Sequence, residues 1–202
     1  MSGCLVKSIH PFYTDADLVF NKDLVGNWQS EDHSTWVISQ SSSFPGFGKP
    51  VKDEKCYKIV QTQENGGKAV FLAHLFKLNN QLYLDFIPDD VPTENTLLSY
   101  HVVAMHTFAK VDLKDGKISI NWYNENWLTD LFNQNKIRIA HERQGYIGGN
   151  TTSKDDKSQI ILTASTADLQ KFIIKYSNDP KAFTTDEKGK KDFSFTLIRT
   201  QK

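Results

Sequence analysis

A series of short alternating segments joined by tight turns is the feature that most constrains the fold of this chain. Each segment mixes aromatic and β-branched residues with polar ones, as antiparallel strands do. The turns carry residues that tolerate a positive φ, such as Asn65-Gly66 and Asn79-Asn80. Because an open meander leaves unpaired edges and closure removes them, we predict an up-and-down barrel. The strands of this series are predicted at residues 55–63, 68–78, 81–87, 101–113 and 117–123.

Further elements are predicted on both sides of this series. Apolar residues recur on one helical face in residues 124–134 and 165–176, with Asn124 and either Ser165 or Thr166 available as caps. We therefore predict a mainly β fold, an antiparallel up-and-down β-barrel of about eight to ten strands with two short packed helices. The additional strands are predicted at residues 24–28, 34–38, 137–144, 159–163 and 193–199.

Two regions lack the alternating pattern. Residues 1–24 have neither a helical nor a strand period, so we expect an extended N-terminal tether, followed by a single barrel domain over residues 25–202. Residues 39–53 are rich in serine, glycine and proline and are predicted to form a long loop.

Composition and charge exclude several classes of function. The 24 Lys and Arg residues equal the 24 Asp and Glu residues, and no basic cluster is dense enough to follow a phosphate backbone, so no nucleic-acid partner is expected. No apolar run approaches the roughly 20 residues that a spanning helix needs. Aromatic residues make up 12% of the chain, which is enough for a packed core.

The first residues suggest a site of lipid attachment. Ser2-Gly3-Cys4 resembles the end of a bacterial lipoprotein signal, in which small residues precede a cysteine that carries the lipid. Two alternatives stay open, namely an ordinary cysteine in a cytosolic protein and a disulfide between Cys4 and Cys56 in an exported one. If Cys4 is lipidated, Cys56 is a lone thiol in a strand, and we expect it to be buried rather than reactive.

Gly26-Asn27-Trp28 at the start of the first strand resembles the signature of the lipocalin superfamily. In lipocalins the tryptophan closes one end of the barrel and an arginine of the last strand lies over it, so the resemblance assigns this plug to Gly26, Trp28 and Arg199. The wider pattern resembles a group of uncharacterised bacterial envelope lipoproteins with lipocalin-like barrels. Two helices and the additional strands within residues 137–163 depart from a standard lipocalin. The residues that carry the wider likeness are Cys4, Pro11-Phe12-Tyr13, Leu24-Val25-Gly26-Asn27-Trp28, Ala73-His74-Leu75, Leu82-Tyr83-Leu84-Asp85, His106-Thr107-Phe108, Asn126-Trp127-Leu128 and Leu162-Thr163-Ala164-Ser165-Thr166.

Histidines on apolar strand faces are the candidate polar site. His74 and His106 share strand faces with apolar residues, and each needs a partner there. One hypothesis is a polar cluster inside the barrel, with Asp85, Glu142 or Tyr83 as neighbours, that binds the polar end of a ligand or a metal. The alternative is separate histidines satisfied by backbone carbonyls or water. No HxH or HExxH spacing occurs, so no metal is expected.

Aromatic residues in the strands are the candidate wall of a ligand cavity, namely Trp36, Tyr57, Phe71 and Phe86. No nucleophile, phosphate-loop or cofactor motif is present, so we expect neither an enzyme nor a bound cofactor. The expected function is that of a non-catalytic, lipid-anchored protein of the bacterial cell envelope, attached to the membrane only through an N-terminal lipid, whose barrel binds a small hydrophobic or amphipathic ligand. The alternatives are a structural or protein-interaction module with a barrel filled by side chains and, third, a small-molecule enzyme that uses the histidines.

Overall fold

Eight antiparallel strands close into a barrel in the computed structural model of the chain. The structure describes residues 5–44, 51–89, 96–145, 158–183 and 194–200. The predicted lipid-attachment residue Cys4 lies outside these residues. Within the part of the chain that is described, no helix is both long and apolar enough to cross a membrane.

The strands, in chain order, are β1 (Lys7–Ser8), β2 (Gly26–Ser30), β3 (Thr35–Gln40), β4 (Ser43–Phe44), β5 (Val51–Lys52), β6 (Cys56–Thr62), β7 (Lys68–Leu78), β8 (Gln81–Pro88), β9 (His106–Lys114), β10 (Lys117–Trp122), β11 (His141–Gly145), β12 (Ser158–Leu162) and β13 (Ser194–Arg199). The helices are α1 (Thr96–Ser99), α2 (Glu125–Asn133) and α3 (Thr166–Tyr176). Short 3₁₀ helices lie at Lys22–Leu24 and Pro180–Phe183.

The barrel has the predicted up-and-down order. Its strands are β2, β3, β6, β7, β8, β9, β10 and β13, and each pairs antiparallel with the next. The last strand then pairs with the first, Arg199 lying opposite Trp28. Closure pairs both edges of the meander, as expected for short strands with tight turns. The prediction of an antiparallel barrel is confirmed, with eight strands in its wall.

Three further strands extend the sheet outside the barrel. β10 ends at Trp122, opposite Ala109, so the first residues of β9 project past it. β1 pairs with those residues, placing Ser8 opposite His106, and also pairs in parallel with β12, which in turn pairs with β11. The sequence did not predict β1, because two residues are too few to show a period.

Two hydrophobic cores lie on opposite faces of the barrel wall. The inner core takes side chains from all eight barrel strands, for example Ile59, Leu84 and Ile120. The outer core covers the other face of β7, β8 and β9 with the helices and outer strands, for example Phe76 and Phe172. Strands in this part of the wall are therefore buried on both faces, which is why they read as nearly continuous apolar runs.

Both predicted helices are present and contribute to the outer core. Asn124 caps α2 by accepting a hydrogen bond from the backbone N–H of Asn126, and Ser165 caps α3 by accepting one from Asp168. The buried residues of the two helices are Trp127, Leu128, Leu131, Leu169, Phe172 and Ile173, together with Glu125. Helical periodicity predicted these elements correctly because each helix has one buried stripe.

The N-terminal segment, residues 5–24, packs along the outside of the barrel. β6 begins at Cys56, opposite His74, and leaves the end of β7 without a strand partner. The segment fills this gap, since the N–H of Val19 donates to the carbonyl of Leu75 at 2.9 Å and the N–H of Lys77 donates to that of Asp17 at 3.0 Å. We expected these residues to form an extended tether. The structure shows that they supply buried side chains to both cores.

Some predicted boundaries were wrong where the sequence pattern continued past the end of pairing. β9 begins at His106 rather than at residue 101, and β11 begins at His141 rather than at residue 137. The predicted loop of residues 39–53 contains a short hairpin of β4 and β5. Partner strands, not local propensity, decide where a strand ends.

Strand directions distinguish two ends of the barrel. β2 starts and β13 finishes at one end, which we call the Arg199 end. At the opposite end of the barrel, β8 and β10 finish and β9 and β13 start. We call this second end the Trp122 end. The chain between β10 and β13, which carries both long helices, leaves and returns at the Trp122 end.

We predict that Gly26→Ala destabilises the barrel. Gly26 has φ +150°, and a Cβ there would lie inside van der Waals contact with Nη1 of Arg199. Backbone strain and displacement of the arginine should together lower the free energy of unfolding by about 2 kcal/mol. Urea unfolding measures the change, with Gly145→Ala as the control because no described residue lies within 4 Å of its added methyl group. Equal effects of the two substitutions would contradict the prediction.

Candidate functional site

A stacked arginine closes the Arg199 end of the barrel. The guanidinium carbon of Arg199 lies 4.2 Å from the ring centroid of Trp28. Arg199 donates hydrogen bonds to the carbonyls of Val25 at 3.0 Å and Asp23 at 2.6 Å. The indole N–H of Trp28 donates to the carbonyl of Leu24 at 2.9 Å. The geometry is the one that the lipocalin resemblance implies, since a planar cation can stack on an indole while its N–H groups satisfy backbone carbonyls.

An aromatic cluster occupies the inner core towards the Trp122 end. The ring of Trp122 lies 4.9 Å from that of Phe86, 5.8 Å from that of Phe195 and 6.3 Å from that of Trp36. Phe71 meets Phe86 edge to face at 6.1 Å. Three predicted wall residues, Trp36, Phe71 and Phe86, are thus brought together. We call these five rings the aromatic cluster.

The indole N–H of Trp122 is the unsatisfied donor of this cluster. Among the four tryptophans, those at positions 28, 36 and 127 donate to Leu24, Ser34 and Asp179. Nε1 of Trp122 is buried and has no hydrogen-bond partner. A buried donor left unpaired costs about 1 to 3 kcal/mol, and a ligand atom that accepts its hydrogen bond recovers part of that cost.

Tyr57, the fourth predicted wall residue, lies apart from the aromatic cluster. Its ring is buried in the inner core and stacks on Phe20 at 4.9 Å. Its hydroxyl accepts a hydrogen bond from the N–H of Asn21 at 2.7 Å and donates to the carbonyl of Asn21 at 3.1 Å. Burial raises the pKa of Tyr57 to about 12. Tyr57 therefore fastens the N-terminal segment.

The hypothesis of a histidine cluster inside the barrel is wrong, because His74 and His106 lie on the outer face of the wall, each beside a carboxylate. Ala73 and Leu75 belong to the inner core, so His74 between them faces outward. Asp85 and His106 likewise lie on the outer face, beneath the N-terminal segment. The prediction failed because both faces of these strands are buried, and periodicity does not say which of two apolar faces points inward. Of the other suggested neighbours, Tyr83 belongs to the outer core and Glu142 is exposed on β11.

Two histidine and carboxylate pairs form the centre of this outer polar cluster. Nδ1 of His106 lies 2.7 Å from Oδ1 of Asp85, whose Oδ2 accepts the backbone N–H of Phe12 at 2.9 Å. Nε2 of His74 lies 2.6 Å from Oδ2 of Asp53, and Nδ1 of His74 lies 2.9 Å from the hydroxyl of Tyr13. A His74 tautomer with its proton on Nε2 satisfies both contacts.

Burial governs the titration of the cluster. It raises the pKa of Asp85, against the opposing hydrogen bonds from His106 and the N–H of Phe12. Burial and then the Asp85 and Asp53 charges raise the pKa of Tyr13, which keeps its hydroxyl proton. At Asp53 burial alone would raise the pKa, but hydrogen bonds from His74 and the N–H of Lys55 outweigh it and lower the pKa.

The outer polar cluster binds the N-terminal segment to the barrel wall. Phe12 and Tyr13 come from that segment, whereas His74, Asp85 and His106 come from β7, β8 and β9. Both ring nitrogens of His74 are taken by groups of the protein. In this buried layer, hydrogen bonds between charged and neutral groups hold the N-terminal segment in one alignment against the barrel wall. His74, Asp85 and His106, which we predicted to bind a ligand, thus form hydrogen bonds with other residues of the protein.

The described residues contain no metal-binding cluster of three or more histidine, cysteine or acidic side chains.

Cys56 is fully buried, and burial followed by the charge of Asp53 raises the pKa of its thiol to about 12. A thiol of this kind is unreactive at neutral pH, as expected from its place in a strand. A cleft of about 330 Å³ lies outside the barrel, between α3 and residues 137–140.

Sequence reasoning missed Trp122 and Phe195 as members of the aromatic cluster. Each continues the inward face of its strand, since Trp122 follows Ile118 and Ile120 at alternate positions and Phe195 precedes Leu197. This alternation was a usable signal. No sequence pattern could have linked Tyr13 and Asp53 to His74, because these residues meet only through tertiary packing.

No family model matches the chain, and searches of curated proteins and of solved structures find no match either.

We predict that Asp85→Asn loosens the N-terminal segment. An amide keeps one acceptor oxygen where the carboxylate has two, so when that oxygen accepts the N–H of Phe12, the NH2 group faces Nδ1 of His106. His106 then has to carry its proton on Nε2, and its hydrogen bond to a carboxylate is lost. The free energy of unfolding should fall by about 1 to 3 kcal/mol. Chemical denaturation measures it, and Asp115→Asn is the control because Asp115 is exposed in a turn at φ 52°, which asparagine tolerates. An unchanged unfolding midpoint for Asp85→Asn would contradict the prediction.

Proposed function

We propose that this chain is a lipid-anchored binding protein of the bacterial cell envelope, whose barrel takes a small apolar molecule at the Trp122 end. The observation that carries the proposal is the buried, unpartnered N–H of Trp122 within the aromatic cluster. A buried indole N–H without an acceptor among five rings is a group that an acceptor atom from outside the chain would satisfy.

The chemistry of the aromatic cluster defines the class of ligand. Aromatic rings favour an apolar, flat molecule that can stack against them. Trp122 contributes a donor and no acceptor, so the ligand carries a carbonyl, ether or other acceptor oxygen or nitrogen. The cluster itself contains no charged side chain, which favours a neutral acceptor over a carboxylate or phosphate.

The rest of the inner core supports a ligand site at this end only. Ile59, Ile118 and Ile120 have no exposed surface, and the Arg199 end is closed by its stacked arginine. Eight-stranded barrels are just wide enough to be filled by side chains or to hold one small ligand. The same packing favours the second candidate function, a structural or protein-interaction module with a filled barrel.

The proposed anchor rests on Ser2-Gly3-Cys4. A cysteine after two small residues is typical of the point at which a lipoprotein signal is cleaved and a lipid attached. Lipidation would also account for the second cysteine being a single buried thiol.

We predict that Trp122→Phe weakens binding of an acceptor-bearing aromatic probe. The dye prodan is flat and apolar and has one ketone oxygen, and its emission reports transfer from water to an apolar site. Loss of one hydrogen bond worth about 1 kcal/mol should weaken its binding about fivefold. Trp127→Phe is the matched control, because Trp127 lies in the outer core and its N–H donates to Asp179.

The same pair of variants separates ligand binding from packing. Both lose ring volume, but only Trp127→Phe breaks a hydrogen bond, so it should destabilise the free protein by about 1 kcal/mol more than Trp122→Phe. If wild-type protein does not bind prodan and native mass spectrometry of gently purified protein finds no retained molecule, the filled-barrel function replaces the proposed one.

We predict that Cys4 carries lipid when the gene product is made in its native host. Intact-mass measurement of the membrane fraction should show a chain that starts at Cys4 with added acyl mass. Cys4→Ser should release the protein from that fraction, whereas Cys56→Ser should not, because the Cys56 side chain is buried within the fold. Unmodified Cys4 in the native protein would overturn the anchor while leaving the ligand site untouched.

A further inference from the structure

An uncharged and exposed apolar segment borders the barrel. Residues 96–105, which we call the rim segment, contain no Asp, Glu, Lys or Arg in a chain that is 24% charged. Leu97, Tyr100 and Val103 are 69%, 79% and 65% exposed, and Leu98 and Val102 are 54% and 41% exposed. Large apolar side chains concentrated in so short a stretch mark an interaction surface rather than ordinary solvent-facing residues.

The rim segment lies at the Trp122 end. It belongs to the connection between β8, which finishes at Pro88, and β9, which starts at His106, and both of these strand ends lie at that end of the barrel. The rim segment therefore enters the barrel wall at the same end as the aromatic cluster.

The beginning of the described chain lies at the same end. Leu5 forms a bridge with Asn124, two residues beyond the last residue of β10, and the N–H of Val6 donates to the carbonyl of Tyr123 at 3.1 Å. The described chain therefore enters the fold at Leu5, beside the Trp122 end. A lipid on the residue before Leu5 would be linked to the barrel through this end.

We propose that the partner of the rim segment is a lipid bilayer surface, which the Trp122 end of the barrel faces. This inference rests on the proposed lipid anchor, and it goes beyond it by adding a second, protein-mediated membrane contact. Two independent features, the entry of the described chain at Leu5 and the junction of the exposed apolar rim segment with β9, lie at the same end of the barrel.

The composition of the rim segment suits the bilayer interface. Leucine and valine gain free energy by leaving water, and tyrosine places its ring among acyl chains while its hydroxyl stays in the headgroup layer. No charged side chain opposes insertion. Since a single acyl chain binds membranes only marginally, apolar contacts next to the anchor strengthen attachment and fix the orientation.

This orientation connects the two proposed sites. In this orientation the aromatic cluster lies at the end of the barrel that faces the membrane, so an apolar ligand would pass between acyl chains and barrel with little exposure to solvent. The Arg199 end, closed by stacking and hydrogen bonds, faces away from the membrane.

The test tethers the protein artificially and asks which end meets lipid. Unlipidated full-length chain is coupled through Cys4 to a maleimide lipid in phosphatidylcholine vesicles. Cys56 does not compete because it is buried and its pKa is raised to about 12. The photoreactive residue p-benzoylphenylalanine is placed at Tyr100 or, as the matched control, at Lys117, which is exposed at the Arg199 end. After illumination, mass spectrometry counts the lipid adducts at each position.

We expect about tenfold more lipid adduct at position 100 than at position 117, because only the rim segment enters the interface. Equal yields, a higher yield at position 117 or no adduct at either position would overturn the inference. Protein-to-protein crosslinks at position 100 in place of lipid adducts would also overturn it, assigning the surface to a second copy of the chain. Because the tether is chemical, the outcome does not depend on natural lipidation, which the intact mass of Cys4 tests separately.

Discussion

Closure of the eight-stranded sheet is the constraint on which the rest of the structure depends. Once the last strand pairs with the first, every wall residue points either into the barrel or away from it. The inner face is filled by apolar side chains, and the outer face of β7, β8 and β9 is covered by a second core. The proposed membrane contact uses side chains of the rim segment that stay exposed outside these two cores. The proposed ligand binding uses the N–H of Trp122, which stays unpaired within the inner core.

Polar groups buried in the two layers have different consequences. In the outer layer Asp85 accepts two hydrogen bonds from the chain, so its burial is compensated and the N-terminal segment is held in register. In the inner layer the N–H of Trp122 is not compensated. The first arrangement is structural, and the second supports a site for a ligand atom.

Sequence reasoning performed well where a period or a cap determines local structure. The alternation of β6 to β10 and the stripes of α2 and α3 identified most elements, and the Gly-x-Trp motif with Arg199 identified the contact that closes one end. It performed poorly at β1, at the true start of β9 and for the facing of His74. These depend on partner strands or on a covering layer, neither of which leaves a local pattern.

By itself the sequence determined a mainly β barrel with two packed helices, because periodicity is a property of the linear chain. Only the tertiary structure decided that Trp36, Phe71 and Phe86 meet Trp122 and Phe195, while His74, Asp85 and His106 lie outside. Only it placed Leu5 and the rim segment at one end. The physical reason is that closure and layering bring distant residues together, and period-2 alternation is blind to which buried face is inside.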